Sequence, residues 1–174
     1  MKTESATEAP TKKLQVTFQR LKADMAAHPF LKGLSPEHLA TLSDFAMDSQ
    51  ISPGKLIFRE GDIANRFYLI LEGQVALETR GEDGNPVLVQ TLRAGDVLGW
   101  SWLFPPYTWH FDARALEPTQ AIFFYGTWLR EQCEQDRNFG YEVMKRVAGV
   151  VIERLQAERR RLLAISQVVR SLEK

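Results

Sequence analysis

Short apolar runs separated by turn residues occupy residues 51–125, and this alternation constrains the fold more than any other feature of the sequence. Runs such as 67–71 and 87–92 are rich in residues that favour strands. Turn pairs such as Pro53-Gly54 and Gly61-Asp62 lie between the runs. Six or more short strands, punctuated about every 8 to 12 residues, are typical of an antiparallel sandwich or barrel. The sequence therefore predicts a mostly β fold over residues 49–126.

Helical patterns precede the strands. Residues 1–13 are polar and predict a disordered tail. Apolar residues then recur at spacings of four, three and four, and His28-Pro29 ends this first helix. Ser35 followed by Pro36 is typical of an N-cap and first helical position, and the second helix is expected to stop near Asp48. Residues 14–48 are thus predicted to form N-terminal helices.

Helical periodicity returns after the strands. Residues 127–137 predict a short helix and residues 138–174 a long one. Nine positions of the long helix alternate spacings of four and three, and eight of them are apolar, as in a coiled-coil seam. A seam of this length predicts a homodimer through the C-terminal helix. The residues expected to carry the dimer seam are Met144, Val151, Leu155, Leu162, Ile165 and Val169.

Composition excludes several classes of function. Lysine and arginine number 22, as do aspartate and glutamate, so no net charge draws the chain to nucleic acid. The single cysteine, Cys133, cannot form an internal disulfide, which favours a reducing cytoplasm. No apolar run approaches the roughly 20 residues that a membrane helix needs, and the polar N-terminus does not resemble a signal peptide. We therefore expect a cytoplasmic protein that does not bind a membrane.

Three of the four tryptophans lie in one stretch, residues 96–113, hereafter the aromatic segment. Loops are normally polar, so an aromatic loop is either folded into a core or lines a cavity. The first alternative predicts a filled segment that completes the core. The second predicts a pocket for an apolar or aromatic small molecule. The residues alone leave both open.

Four motifs, at residues 29–36, 53–62, 67–75 and 94–99, together resemble the cyclic nucleotide-binding domain, the sensor module of the catabolite activator and anaerobic regulator family. The resemblance covers residues 29–154. It implies an antiparallel double-stranded β-helix (a β-roll, jelly-roll-like) with N-terminal helices and a long C-terminal dimerisation helix.

The resemblance also places the family's phosphate-binding cassette on the aromatic segment. The family pattern is Gly-Glu, a short helix, and later an arginine with a small residue; the helix N-terminus and arginine hold the cyclic phosphate. Here Gly99 is kept, but Trp100 replaces the glutamate, and the arginine position falls on Thr108 or Trp109. The small polar position falls near Asp112, whose charge would repel a phosphate, and by alternation Arg114 belongs to the next strand.

A ligand is therefore not expected to bind in the usual cyclic nucleotide mode. The candidate ligand-binding residues of the cassette are Leu98, Gly99, Trp100, Ser101, Trp102, Thr108, Trp109, His110 and Asp112.

The sequence as a whole predicts a non-enzymatic sensor or regulatory module that acts as a dimer on a protein partner. By resemblance, a ligand at the roll would shift a hinge at Gly126 or at residues 138–140 and so alter the helix pair. The helix-turn-helix of the family's regulators would follow the long helix, so no direct DNA binding is expected. An alternative is a scaffold or adaptor that has lost ligand binding.

A less favoured alternative is a cupin-like metalloenzyme. A metal site of that kind needs histidines close together, whereas His28, His38 and His110 lie on three different elements. No catalytic triad or phosphate-binding loop is recognisable. We therefore predict no catalytic residues, no metal and no cofactor.

Overall fold

The computed structural model describes residues 19–172, except for the side chains of Val169 and Leu172. The predicted tail at 1–13 and the start of the first helix, residues 14–18, lie outside the described residues. The chain divides into two compact units, Met1–Glu131 and Gln132–Lys174.

The first unit begins with helices. Helix α1 is described over residues 19–27, a short 3-10 helix follows at Pro29–Leu31, and α2 spans Pro36–Phe45. Ser35 caps α2, since its hydroxyl accepts a hydrogen bond from the backbone N–H of His38 at 3.2 Å. The expected helix end near Asp48 was wrong, because Met47 and Asp48 pair with Phe123 and Ile122 in a β-ladder. Pairing over long range overrode the local helical pattern.

Eight strands follow the helices and form two antiparallel four-stranded sheets. Their bounds are β1 Met47–Ile51, β2 Leu56–Phe58, β3 Arg66–Glu72, β4 Gln74–Arg80, β5 Pro86–Arg93, β6 Val97–Leu98, β7 Asp112–Ala115 and β8 Thr119–Tyr125. One sheet has the order β1-β8-β3-β6 and the other β2-β7-β4-β5. Successive strands thus alternate between sheets in much of the chain, as a double-stranded β-helix requires. The predicted fold class is confirmed.

The interior of the roll is an apolar cluster contributed by both sheets. Its buried members are Tyr68, Ile70, Val75, Leu77, Leu92, Leu98, Ala113 and Ala121. Members that share a strand, Tyr68 with Ile70 and Val75 with Leu77, lie two residues apart, since side chains two apart share a face. Burying each of the large aliphatic members stabilises the fold by about 1.5 to 3 kcal/mol.

The β1-β8-β3-β6 sheet is buried on its outer face as well. Phe67 and Leu69 alternate with Tyr68 and Ile70 on β3, and all four are 3% exposed or less. The ring of Phe67 lies 5.1 Å from that of Phe30, which precedes α2. The N-terminal helical region therefore provides a second layer over this sheet.

Two helices follow the strands. Helix α3 spans Gly126–Gln135, and α4 spans Arg137–Leu172. Within the second unit, the Asp136 carboxylate caps α4 by accepting the backbone N–H of Asn138 at 2.9 Å and of Phe139 at 3.1 Å. At about 1.5 Å per residue, the 36 residues of α4 extend about 54 Å.

Candidate functional site

The aromatic segment begins on β6, where Leu98 is buried in the roll interior and pairs with Tyr68 of β3. Gly99 follows with φ of 85° and leads into a 3-10 helix, Trp100–Leu103. An L-residue at this φ is strained, which accounts for glycine at the turn. The short helix expected after Gly99 is therefore present.

Trp109 returns from the segment into the roll. Its indole is 4% exposed and stacks on Phe58 of β2, with centroids 3.9 Å apart and planes 11° apart. Its ring also lies against Gly99, because a Cβ built on Gly99 would stand 2.8 Å from Trp109 Cζ3. The Trp109 carbonyl accepts a hydrogen bond from the Gly61 N–H, and the Trp109 N–H donates to the Asp62 carbonyl, both at 2.9 Å. These bonds hold the backbone of residue 109 in place. The indole thus occupies the space beside the turn where the cassette begins.

Trp102 lies outside the roll interior, in the layer that covers the outer face of the β1-β8-β3-β6 sheet, and is fully buried. Its ring meets that of Phe67 edge-on, with centroids 6.0 Å apart. Gly126 approaches it so closely that a Cβ there would stand 2.7 Å from Trp102 Cβ. Close packing accounts for the glycine at the start of α3, and the hinge expected there stays a prediction.

Arg130 of α3 anchors the same part of the segment. Its Nη1 donates to the carbonyl of Trp102 at 2.6 Å, and its guanidinium lies 4.4 Å from the ring centroid of Tyr107. Sequence reasoning did not find Arg130, since a single arginine on a short helix carries no signal that it will reach a loop 28 residues earlier.

Trp100, Ser101 and His110 form a second cluster within the aromatic segment. The Ser101 hydroxyl and His110 Nδ1 are 2.9 Å apart, and the rings of Trp100 and His110 stack with centroids 6.2 Å apart. His110 is exposed and Trp100 is half-buried. These three predicted cassette residues come together, with Ser101 buried at 6% exposure beneath the more accessible Trp100 and His110.

Thr108 and Asp112 have structural partners. Thr108 forms an isolated β-bridge with Ile63. Asp112 begins β7, and its carboxylate accepts the backbone N–H of Glu60 at 2.7 Å. Asp112 therefore ties β7 to the chain segment after β2.

The electrostatics of the segment are unusual for a phosphate site. Residues 99–113 contain no lysine or arginine. Arg114 lies on β7, as alternation predicted, and its Nε pairs with the Glu78 carboxylate of β4 at 3.0 Å. Its charge is thus neutralised across the sheet.

The predicted dimer seam lies in the second unit. Four of its residues are exposed, Met144 at 43%, Leu155 at 69%, Leu162 at 65% and Ile165 at 53%, and Val151 is half-buried. The side chain of Val169 lies outside the described residues. A row of exposed large aliphatic residues on one helix is typical of an interaction surface.

Gly140, which lies in the range predicted as a hinge, packs closely against Cys133. A Cβ on Gly140 would stand 2.6 Å from the carbonyl oxygen of Cys133. In the second unit, glycine here lets the last turn of α3 and the first turn of α4 approach closely.

Among residues 19–172, no group of three or more His, Cys, Asp and Glu side chains is arranged to hold a metal ion. No helix within the described part of the chain is long and apolar enough to cross a membrane.

The fold is a β-roll of two four-stranded sheets between which successive strands alternate. A glycine turn with a short helix and a long final helix complete the arrangement that is typical of a sensor domain. The family model described as the cyclic nucleotide-binding domain matches residues 49–136, about half of the chain. The chain belongs to this family, and the suspected resemblance is confirmed.

Individual relatives agree with this assignment. The CRP-like cAMP-activated global transcriptional regulator of Mycobacterium tuberculosis is 27% identical over 98 residues, which are 56% of this chain and 44% of that protein. A solved protein of cyclic nucleotide-binding type from Geobacter metallireducens is 29% identical with a TM-score of 0.68, over 79% of this chain and 96% of the other. A cyclic nucleotide-binding domain from Methylobacillus flagellatus reaches a TM-score of 0.71 at 17% identity, over 86% and 84%. This chain thus spans less than half the length of the curated relative.

Proposed function

We propose that this cyclic nucleotide-binding-type regulatory module is non-enzymatic, acts as a homodimer on a protein partner, and does not hold a cyclic nucleotide in the family's usual mode. The observation that carries the last part is the position of Trp109. Its indole lies against Gly99, at the turn where the family's cassette receives the cyclic phosphate.

The chemistry of the segment supports the same conclusion. A cyclic phosphate needs a cationic fork and backbone donors, and residues 99–113 supply no cationic side chain of lysine or arginine. The ribose hydroxyl needs an acceptor, and Trp100 offers only an indole N–H, which donates. Both polar contacts of the usual ligand are therefore missing.

A direct test is calorimetric titration of the wild-type chain with cyclic AMP and cyclic GMP, together with thermal unfolding. A ligand at 100 times its Kd adds about 2.7 kcal/mol of stability. We expect no heat of binding and no shift in Tm at about 1 mM nucleotide, which corresponds to a binding free energy weaker than about −4 kcal/mol. Saturable binding in the micromolar range would overturn this part of the proposal.

The dimer rests on the exposed seam of α4, since leaving aliphatic side chains such as Leu155 and Leu162 in water forgoes about 1.5 to 3 kcal/mol each. Light scattering on the wild type is expected to give twice the mass of one chain, and the double substitution Leu155→Asp and Leu162→Asp is expected to give a monomer. Leu163→Asp is a matched control, because Leu163 is 53% exposed but lies outside the seam. A monomeric wild type, or a control that dissociates equally, would refute the seam.

A scaffold that binds no ligand is the second candidate, and the complete burial of Trp102 together with the 4% exposure of Trp109 favours it. Both candidates share the dimer. They differ in whether a small molecule stabilises the roll and changes the hydrogen exchange of α4, so exchange measured with and without a saturating ligand separates them.

A further inference from the structure

Arg66 is the first residue of β3 and lies on its inner face, since Tyr68 and Ile70, two and four residues later, belong to the roll interior. Across the ladder, Arg66 pairs with Tyr125 and Tyr68 pairs with Phe123. The Arg66 guanidinium carbon lies 5.0 Å from the ring centroid of Phe123 and 6.0 Å from that of Tyr125. One guanidinium and three aromatic rings therefore meet at one end of the row of interior side chains.

The charge of Arg66 is not neutralised by a carboxylate in the part of the chain that the structure describes; its polar side-chain contact is the Tyr68 hydroxyl, with Nη1 at 3.5 Å. Its Nε is buried and has no hydrogen-bond acceptor among residues 19–172. An arginine that merely covers a ring normally leaves its donors in water. A buried donor without an acceptor costs about 1 to 3 kcal/mol, and a rearrangement that brings an anion to the guanidinium would supply an acceptor.

The cluster adjoins the aromatic segment. The Arg66 carbonyl oxygen would stand 3.0 Å from a Cβ on Gly99, so the backbone of Arg66 touches the first residue of the family's cassette. The aromatic segment itself has no lysine or arginine between residues 99 and 113. Arg66 is thus a cationic residue whose backbone borders the cassette, on the strand that pairs with β6.

We propose that Arg66, Tyr68, Phe123 and Tyr125 form a binding site for a small anion that carries a flat apolar group, such as an aromatic carboxylate or an aryl phosphate. The guanidinium fork suits the two oxygens of a carboxylate or phosphate. The rings of Phe123 and Tyr125 supply apolar surface beside the guanidinium for the remainder of the ligand. This site rests on the proposed function, because it assigns a ligand class to a sensor that lacks the usual phosphate contact.

The site also keeps Arg66 positively charged, as binding of an anion requires. The Tyr68 hydroxyl raises the pKa of Arg66 further above its usual value, so the side chain stays charged. Tyr125 is 46% exposed, which leaves the cluster open to solvent on that side.

The probes are benzoate and phenyl phosphate, with benzamide as an uncharged analogue of the same shape. Calorimetric titration of the full chain is expected to give saturable binding of one or both anions, and benzamide is expected to bind at least about tenfold more weakly. Aromatic NMR signals of Tyr68 and Tyr125 are expected to shift with the same apparent affinity. Absence of saturable binding of both anions up to about 10 mM would overturn the site.

Substitution then locates the binding. Arg66→Gln is expected to weaken binding by about 10- to 100-fold, since a hydrogen bond to a charged group contributes about 1.5 to 3 kcal/mol. Arg66→Lys keeps the charge but not the fork and is expected to fall between Arg66→Gln and wild type. Arg114→Gln is the matched control, because Arg114 pairs with Glu78, and its affinity is expected to equal that of wild type.

Equal affinity of wild type and both Arg66 variants would overturn the site, and so would an equal loss in Arg114→Gln. Circular dichroism of each variant verifies folding, and if Arg66→Gln unfolds, the decision passes to Arg66→Lys. The two proposals fail separately. Binding of cyclic AMP that Arg66→Gln leaves unchanged counts against the proposed function, whereas anion binding that Arg66→Gln leaves unchanged counts against this site.

Discussion

Gly99→Ala tests the central contact of the cassette region, the packing of Trp109 on the Gly99 turn. Two costs are expected. A non-glycine residue at φ of 85° costs about 1 to 2 kcal/mol. The new methyl group would also stand 2.8 Å and 2.9 Å from two indole carbons of Trp109 and 3.0 Å from the Arg66 carbonyl. Overpacking of this kind costs about a further 1 to 3 kcal/mol.

Gly61 provides a matched control for the first cost. Its φ is also 85°, but a Cβ on Gly61 would meet no atom within 4 Å. Gly61→Ala therefore measures backbone strain alone. The difference between the two substitutions, about 1 to 3 kcal/mol, is the cost of displacing the indole and the carbonyl.

A third variant tests whether the Trp109 indole causes the difference in unfolding free energy between Gly99→Ala and Gly61→Ala. Trp109→Leu is expected to destabilise the roll by about 2 to 4 kcal/mol, because it removes buried aromatic area and the stack on Phe58. In that background Gly99→Ala is expected to cost about 1 to 2 kcal/mol less than in wild type, since only the Arg66 carbonyl remains close.

The assay is urea unfolding followed by far-ultraviolet circular dichroism, since tryptophan fluorescence would change with Trp109 itself. All variants are compared at one protein concentration, because the proposed dimerisation would make stability depend on concentration. If Gly99→Ala and Gly61→Ala cost the same, or if the two substitutions at Gly99 and Trp109 are additive, the packing described here is wrong.

Three further predictions concern side chains away from this contact. Burial lowers the pKa of His28 from its usual value of about 6.5, although nearby carbonyls and Asp96 oppose the shift. As the pH falls, the unfolded state therefore takes up the proton first. The contribution of His28 to the free energy of unfolding is expected to be constant above about pH 6.5 and to fall below it. His28→Asn is expected to flatten that fall in urea titrations at a series of pH values. Arg130→Gln removes the hydrogen bond to the Trp102 carbonyl and is expected to cost about 2 kcal/mol in the same unfolding assay; an unchanged midpoint would contradict the anchoring role. Burial raises the pKa of the Cys133 thiol to about 11, so alkylation by iodoacetamide at about pH 8 is expected to be on the order of a hundredfold slower in the folded than in the urea-unfolded chain, and equal rates would refute this.

The mostly β roll could be predicted from the sequence because its signals are local. Strands such as β3 and β5 show as short runs of strand-forming residues, and turn pairs such as Gly61-Asp62 mark their ends. The cap of α2 at Ser35 is equally local, since its hydrogen bond spans three residues. The end of α2 was misplaced because β1 owes its conformation to β8, about 70 residues later. No pattern within residues 36–51 records that partner.

For the candidate site, too, the sequence determined some features and left others open. The sequence determined that the segment keeps Gly99 and lacks both the glutamate and the arginine of the family's cassette, since these are matters of residue identity alone. Its predicted ligand-binding residues and dimer seam stay predictions. The sequence left open whether the tryptophans fill a core or line a pocket.

Only the tertiary structure decided where each tryptophan lies. Trp109 enters the roll against Phe58, whereas Trp102 enters the outer layer against Gly126, although the two are seven residues apart in one loop. It also brought the Arg66 backbone beside the Gly99 turn and the Arg66 guanidinium within 5.0 Å of the Phe123 ring centroid and 6.0 Å of that of Tyr125. The physical reason is that these contacts join strands from distant parts of the chain, and hydrophobic periodicity specifies which face of a strand is buried but not which partner it meets.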